Sequence, residues 1–249
     1  MKFIDYFDRI SIIHLPERAD RYEALERELK SIDIDVQHPK VRIPFAPRPD
    51  DACGFTSKGV YGNFLSHYNI LKEALDDKLG PILVLEDDAI FSRRMAREQE
   101  QLVHSLGHNP WDICFLGHSL NKELKGLPHG LIPHSAEFRW AHCYAVHPRI
   151  LPRLVTYLEA NAENPAGHPR GGKMYIDGCY NLFRRFNPDV VALVSNPVLS
   201  VQRGSPSSLN NRPWYEGPKF GRMLVGLARS VRDELWRRTG LHYPPIHPR

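Results

Sequence analysis

Apolar positions in this chain form two kinds of pattern, which alternate through most of its length. Short apolar runs, typical of buried strands, cover residues 10–15, 34–36, 41–45, 81–86, 112–117, 139–147 and 190–194. Apolar residues recur at helical spacing over residues 17–32, 59–80, 148–158 and 174–186, and residues 93–106 are predicted to form a polar, exposed helix. This alternation predicts an α/β fold with a mostly parallel central sheet flanked by helices.

Three segments depart from the alternation. Residues 118–138 and 161–173 are irregular and rich in Gly, Pro and His, and a loop as long as 118–138 is often a substrate lid. Residues 211–249 form a basic tail with eight Arg or Lys against three acids. We therefore predict a domain over residues 1–210 followed by a helical tail.

The tail has two interpretations. Its apolar residues recur at helical spacing, at Phe220, Met223, Leu224, Leu227, Val231 and Leu235. Such a basic amphipathic helix suits peripheral contact with an anionic membrane. It equally suits a C-terminal helix that docks on the domain and leaves a basic face in solvent.

Composition narrows the class of protein. The 249 residues are 42% hydrophobic and 25% charged, which is ordinary for a globular enzyme. The net charge of +4 suits an anionic substrate or an acidic membrane surface and argues for neither alone. Four scattered Cys without a CxxC pair lack zinc-site spacing and fit a reducing compartment. Without a signal-like N-terminus or a run of transmembrane length, we predict a cytoplasmic protein, and nothing indicates nucleic-acid binding.

The acids Glu86, Asp87 and Asp88 directly follow the most apolar strand. Ligands of open α/β sheets bind outside the carboxyl ends of the strands. Adjacent carboxylates repel one another, so a positive partner is expected, and a hard divalent cation such as Mg²⁺ or Mn²⁺ is the candidate. The alternative is that these acids cap a helix that begins near Ser92.

Four other polar residues are candidates for ligand contacts. Arg18 and Arg21 follow the first strand, where such sheets bind nucleotides, although no GxGxxG motif is present. They either hold a diphosphate or form a solvated helix start with an Arg–Asp pair. Ser66 and His67 are helical neighbours that face different directions and cannot form a nucleophile–base pair. His67 is either a structural residue or a substrate ligand.

Six stretches, in this order, resemble glycosyltransferase family 25. They are IIHLPERADR, GVYGNFLSHYNILKEAL, ILVLEDDA, WDICFLGH, AHCYAVHPRILPRLV and YIDGCY, within residues 8–210. The chain departs from the family pattern at Asn63, where the family usually has Cys, and in the tail, which has no counterpart.

The resemblance implies a GT-A-type, Rossmann-like fold and transfer of galactose or a related hexose from a nucleotide sugar such as UDP-galactose, with inversion. The acceptor would be a glycan or glycolipid such as lipopolysaccharide. Asp88 and Asp87 would hold Mn²⁺ or Mg²⁺, with Glu86 beside the donor, Arg18 and Arg21 near the nucleotide, and Ser66 and His67 lining the donor site. The alternative is a non-catalytic module that uses the same fold to bind a sugar or protein.

Asp177 matches an acid of the family's later motif. Inversion needs a base that takes the proton of the acceptor hydroxyl. Burial of a lone acid in an apolar helix raises its pKa, which suits that role, so Asp177 is the candidate catalytic base. A helix cap or a partner for Arg184 is the alternative.

Overall fold

A computed structural model describes residues 1–120, 123–203 and 231–239 of the chain. Its α-helices are α1 (Phe3–Tyr6), α2 (Ala19–Ser31), α3 (Lys58–Asp76), α4 (Arg93–Arg97), α5 (Gln99–His108), α6 (Leu151–Glu163) and α7 (Ile176–Phe186), and a 3₁₀ turn covers Pro148–Ile150. Its strands are β1 (Arg9–Ile13), β2 (Val41–Arg42), β3 (Ile82–Glu86), β4 (Ala89–Phe91), β5 (Ile113–Phe115), β6 (Gly130–Pro133), β7 (Cys143–Val146), β8 (Ala192–Asn196) and β9 (Ser200–Gln202).

Seven strands form one central sheet in the order β2-β1-β3-β7-β5-β8-β6, and β4 and β9 pair in a separate ribbon. Strands β2, β1, β3, β5 and β8 run in one direction, while β7 and β6 run in the other. The predicted α/β fold with a mostly parallel sheet is therefore confirmed. Because β7 is antiparallel, its first residue lies beside the carboxyl ends of β3 and β5.

Strand β3 shows why the sheet lies in the middle of three layers. Ile82 and Val84 belong to one buried cluster, with residues of α3, α6 and α7. Leu83 and Leu85 belong to a second cluster, with residues of α1, α2 and α5. Alternate side chains of a strand point to opposite faces, so a continuous apolar run requires cover on both.

The structure differs from the sequence predictions in three segments. Residues 34–36 are irregular and form no strand, although Ile34 and Val36 are buried. The predicted loop 118–138 contains β6, which pairs with β8 and extends the sheet, so residues 130–133 are not a free lid. The predicted helix over 93–106 is divided into α4 and α5 at Glu98, and it is not an exposed helix, because its apolar residues are buried.

The described part of the tail is a helix over residues 231–239 that docks on the domain. Trp236 is buried against Ile90, Val198 and Val201, next to the β4–β9 ribbon. This agrees with the docking interpretation for these residues, while the predicted apolar positions 220–227 and the boundary at residue 210 lie outside the described residues. No helix in the described ranges is both long and apolar enough to span a bilayer. A cytoplasmic location stays a prediction.

Candidate active site

The three acids lie where β3 leaves the sheet. The Asp87 N–H donates to the Ile13 carbonyl at 3.0 Å, and the Glu86 N–H donates to the His142 carbonyl at 2.8 Å. These bonds fix the acidic segment between the end of β1 and the residue that precedes β7. Strand β4 follows at once, and α4 is capped by Ser92, whose Oγ accepts from the Met95 N–H at 3.2 Å. The acids therefore do not cap that helix.

Asp87 is buried and bonded on both carboxylate oxygens. Oδ1 accepts from the Arg21 guanidinium at 2.7 Å, and Oδ2 lies 2.8 Å from Nδ1 of His14. These two partners fix the position of the carboxylate within the protein. Arg21, which the sequence predicts near the nucleotide, thus contacts the acidic motif directly, and His14 is a further contact that was not predicted.

Asp88 contrasts with Asp87 in its surroundings. Its buried Oδ1 has no hydrogen-bond partner among the described residues, and its Oδ2 lies 3.5 Å from Arg21. Burial, together with the charges of Glu86 and Asp87, raises the pKa of the Asp88 carboxyl, which Arg21 and Arg203 only partly offset. Asp88 is the acid whose electrostatic environment most lacks a cation.

Glu86 is held by three donors, two from α3 and one from β9. Its Oε1 lies 3.2 Å from the Asn63 amide and 3.2 Å from Nε2 of His67, and its Oε2 accepts from Gln202 at 3.1 Å. Burial favours the neutral acid, but the hydrogen bond and charge of His67 outweigh it and lower the pKa of Glu86. Asn63, where the family pattern usually has Cys, therefore contacts the acidic motif.

A buried polar chain extends from Glu86 to α7. Nδ1 of the fully buried His67 lies 2.9 Å from the Tyr144 hydroxyl, which lies 2.7 Å from the Tyr180 hydroxyl. An ionised carboxylate only accepts, so Nε2 of His67 carries a proton towards Glu86. His67 thus makes the hydrogen bonds expected of a structural residue, and its place in the donor site stays a prediction.

Ser66 and Arg18 make local contacts. The buried Ser66 hydroxyl donates to the Gly62 carbonyl one turn earlier, at 2.8 Å. Arg18 forms two 2.9 Å bonds to Asp20, which is the predicted Arg–Asp pair at the start of α2. Beside Arg18, an open pocket at the end of β1 is lined by His14, Pro16, Ala19, Tyr22 and Glu23.

His142 is a buried residue that sequence reasoning missed. Neither ring nitrogen has a hydrogen-bond partner within the described ranges, and burial lowers the pKa of His142 to about 4, so the ring is neutral. It packs against Gly117, where any side chain would overlap the imidazole. Its position just before β7 gave no pattern that distinguished it from a strand residue.

Gly117→Ala is expected to destabilise the fold because its methyl group would collide with His142. Overpacking of this kind costs about 1–3 kcal/mol in the free energy of unfolding. In a His142→Ala background the same methyl finds space, so the two effects should be less than additive. Urea denaturation of the two single variants and the double variant measures this coupling, and full additivity would contradict the contact.

A second missed group connects the acids to the tail. The buried Glu28 of α2 accepts from Arg203 at 3.0 Å, from Arg237 of the tail helix, and from the Phe91 N–H at 3.2 Å. Arg203 also donates its backbone N–H to the Asp88 carbonyl at 2.6 Å. A single buried carboxylate thus joins α2, β4, the segment after β9 and the tail helix.

Glu28→Gln is expected to lower the free energy of unfolding by about 2 kcal/mol. The amide keeps the shape but removes the charge that both guanidinium groups share, and hydrogen bonds to charged groups contribute about 1.5–3 kcal/mol. Chemical denaturation measures the change. Glu26→Gln, an exposed residue of the same helix, is the control and should change little. Equal stabilities of the two variants would contradict this role for Glu28.

Asp177 lies in the first turn of α7, at the opposite side of the site from Arg18. Its Oδ2 accepts from the Trp140 N–H at 3.0 Å and its Oδ1 from the Gly178 N–H at 2.9 Å. Arg184 instead donates to the carbonyls of His134 and Ala136, both at 2.9 Å. The helix-start alternative therefore describes these contacts better than an Arg184 pair, and the carboxylate still has unused lone pairs.

The acidic motif offers oxygen ligands without a complete protein cage. Across the described residues, no three His, Cys, Asp or Glu side chains converge on one point. Mg²⁺-type cations need no such cage, because they usually take one or two carboxylates and fill their coordination with phosphate oxygens and water. The unpartnered Oδ1 of Asp88 fits this kind of ligand set.

The model of glycosyltransferase family 25 (LPS biosynthesis protein) matches residues 7–159, which include the acidic motif and its contacts with β1, α3 and β7. The chain belongs to glycosyltransferase family 25. Its mostly parallel, helix-flanked sheet is the GT-A-type arrangement that the resemblance implies for this family. The family match does not reach α7, Arg203 or the tail helix.

Relatives in the family include active and inactive proteins by their names. Procollagen galactosyltransferase 1-A of Xenopus laevis is 30% identical over 135 residues, 45% of this chain and 21% of that protein. Procollagen galactosyltransferase 2 of Mus musculus is 26% identical over 177 residues, 60% of this chain and 27% of that protein. The inactive glycosyltransferase 25 family member 3 of Homo sapiens is 29% identical over 163 residues, 56% of this chain and 27% of that protein. The chain thus spans about a quarter of the relatives it matches.

Among solved structures, the chain is similar to a glycosyltransferase involved in the glycosylation of the major capsid of PBCV-1. The TM-score is 0.47 at 12% identity, with 91% of this chain and 98% of that chain covered. A score at this level supports no inference about activity.

Proposed function

We propose that the protein is a metal-dependent, inverting hexosyltransferase. It moves galactose or a related hexose from a UDP-linked donor to a surface glycan such as lipopolysaccharide. The observation that carries this proposal is the buried, unpartnered Oδ1 of Asp88 at the carboxyl end of β3, in a chain of a glycosyltransferase family.

The acids have separate roles in this proposal. Asp88 is the residue that holds Mn²⁺ or Mg²⁺, and Asp87 holds Arg21 and His14 in place, because both of its oxygens are already bonded. Glu86 stays ionised through its three donors and adds negative potential near the cation. A bound metal ion would supply Lewis-acid neutralisation of the leaving diphosphate.

The donor nucleotide is assigned to the open pocket at the end of β1. His14 and Tyr22, with ring centroids 5.6 Å apart, offer aromatic surface for a base, and Glu23 offers a hydrogen-bond acceptor. Pyrimidine and purine bases both carry N–H groups that suit such an acceptor. This pocket adjoins Asp87 through His14, so a diphosphate would extend from it towards Asp88.

The acceptor side is assigned to the start of α7. Asp177 is the proposed base that takes the proton from the acceptor hydroxyl. Its contact with Trp140 places it on the β7 side of the acids, whereas the nucleotide pocket lies on the β1 side. Donor and acceptor would therefore approach the metal-binding acids from opposite sides.

Thermal stabilisation tests the proposal directly. UDP, UDP-galactose, UDP-glucose, GDP and CMP are each added to the purified protein with Mn²⁺, with Mg²⁺ and with chelator. A ligand at one hundred times its Kd stabilises by about 2.7 kcal/mol, a measurable rise in Tm. We expect a rise with UDP or a UDP-hexose that chelator removes. No metal-dependent rise with any nucleotide would overturn the proposal.

Donor hydrolysis separates transfer from the non-catalytic alternative. A transferase is expected to release UDP slowly from its donor in the presence of metal and absence of acceptor. Nucleotide binding without any release of UDP, and without transfer to lipopolysaccharide, would favour a binding module, a possibility that the inactive relatives make concrete.

A further inference from the structure

Trp140 has a backbone conformation that a large side chain rarely adopts. Its φ is +74°, in the left-handed region, where a bulky residue persists only if its surroundings impose it. It lies just before β7, which is the part of the chain that meets the carboxyl end of β3. Residues held in this way concentrate at ligand sites.

Five hydrogen bonds fix the backbone of residues 138–140. On one side, the Asn181 side chain bonds both the N–H and the carbonyl of Phe138, at 3.3 and 2.6 Å, and Asp177 accepts from Trp140 at 3.0 Å. On the other side, Ser119 accepts from the Arg139 N–H at 2.9 Å and donates its own N–H to the Arg139 carbonyl at 3.1 Å. The strained conformation is therefore over-determined by α7 and by the segment after β5.

Trp140 lies close in the chain to a residue that contacts the acidic motif. It is partly exposed, and its ring stands edge-on to that of the buried His142, with centroids 6.4 Å apart. The His142 carbonyl accepts the Glu86 N–H at 2.8 Å, so the backbone two residues after Trp140 is bonded to the acidic motif. A ring needed only to fill the core would not require a left-handed backbone or remain open to solvent.

We propose that Trp140 is a stacking platform for a hexose ring at the point of transfer. One face of a hexopyranose carries mainly C–H groups, whose positive edge suits the negative face of an aromatic ring. Its hydroxyl groups can then donate to nearby carboxylates, which are strong acceptors. Asp177 and Asn181 act as positioning residues that aim the ring. The identity of the ligand rests on the proposed transferase function.

The position admits two sources of that hexose. The ring lies on the β7 side of the acids, away from the pocket at β1, so both the sugar of the donor and the terminal sugar of the acceptor would reach it. The chemistry recognised is the same. The difference between the affinities for UDP and UDP-galactose reports on the donor sugar, and the acceptor KM reports on the acceptor.

The test compares Trp140→Gly with Trp140→Phe. Glycine adopts φ +74° without strain, so the first variant removes the ring while keeping the backbone, and phenylalanine retains a smaller ring. Calorimetry with UDP and with UDP-galactose, transfer kinetics with lipopolysaccharide as acceptor, and a glycan array without nucleotide are measured on both variants and on the wild type.

We expect Trp140→Gly to weaken binding of the hexose by about tenfold. If the platform holds the donor sugar, the ratio of the affinities for UDP-galactose and UDP falls. If it holds the acceptor sugar, the acceptor KM rises and binding to the glycan array falls. Affinity for UDP itself should stay within about twofold, and Trp140→Phe should be intermediate. If the wild type does not bind UDP but binds glycans on the array in a Trp140-dependent way, the proposed UDP-linked donor is wrong and the stacking platform stands. Unchanged sugar binding in Trp140→Gly on every readout would overturn the platform, even where the transferase function holds.

Discussion

Asp88→Asn is expected to reduce metal-dependent UDP-hexose hydrolysis and transfer by about a thousandfold, which corresponds to about 4 kcal/mol in the activation free energy. The amide keeps the size of the side chain but removes the charge at the one carboxylate oxygen that lacks a partner within the described ranges. Its backbone carbonyl still accepts from Arg203, so the segment should keep its place. Initial rates across a titration of Mn²⁺ and Mg²⁺ measure the effect.

The stability of this variant is part of the same prediction. Burial and two neighbouring carboxylates raise the pKa of Asp88, so a neutral side chain there relieves repulsion. Asp88→Asn should therefore melt no lower than the wild type in chelator, and should lose the metal-dependent rise in Tm. Asp76→Asn, an exposed acid of α3, serves as the control and should retain full activity. An active Asp88→Asn with normal metal dependence would assign the cation elsewhere.

Asp177→Asn is expected to lower kcat for transfer by about a hundredfold to ten-thousandfold, the range for loss of a general base. The carbonyl oxygen of asparagine can still accept the Trp140 N–H, so the acceptor KM should change little. Metal-dependent hydrolysis of the donor should fall less, because Asp177 is proposed to take a proton from the acceptor hydroxyl and not from water.

A different outcome would reassign this residue. If Asp177→Asn retains kcat while Asp177→Ala raises the acceptor KM, the carboxylate serves only to hold Trp140. Asp189→Asn, at an exposed acid that pairs with Arg153, is a control that changes neither constant. The two Asp177 variants differ in whether an acceptor for the Trp140 N–H remains, so they separate proton transfer from positioning.

The fold could be predicted largely from periodicity, and the failures have physical causes. Buried strands such as β3 are continuous apolar runs, and α3 has a clear apolar stripe, so both were evident. The apolar side chains of residues 34–36 pack in the same cluster as α2, but among the described residues no strand pairs with this segment. Strand β6 is only partly buried at the edge of the sheet, so its pattern was too weak to distinguish it from a loop.

The sequence singled out the acids of the candidate site and two of their partners, Arg21 and His67, but not the other residues that hold them. Glu86, Asp87 and Asp88 are adjacent in sequence, and charges after an apolar strand are conspicuous. Their partners come from distant positions and common residue types. His14 ends an apolar run, and Arg203 precedes residues outside the described ranges. The direction of β7 is the decisive missing fact, because periodicity does not reveal that a strand is antiparallel.

Glu28 contacts both Arg203 and Arg237, so the tail helix is connected to the segment beside the acidic motif. The family match ends at residue 159, yet the carboxylate that joins α2 to the backbone beside Asp88 also holds a helix some eighty residues beyond that point. A fragment cut after residue 210 would contain all six family stretches and would still uncover Ile90 and Val201. The family match covers the residues proposed to carry the chemistry, whereas the residues that hold them in place extend to the tail helix, outside that match. Variation in the tail is therefore a means by which evolution could adjust the site without changing any residue in it.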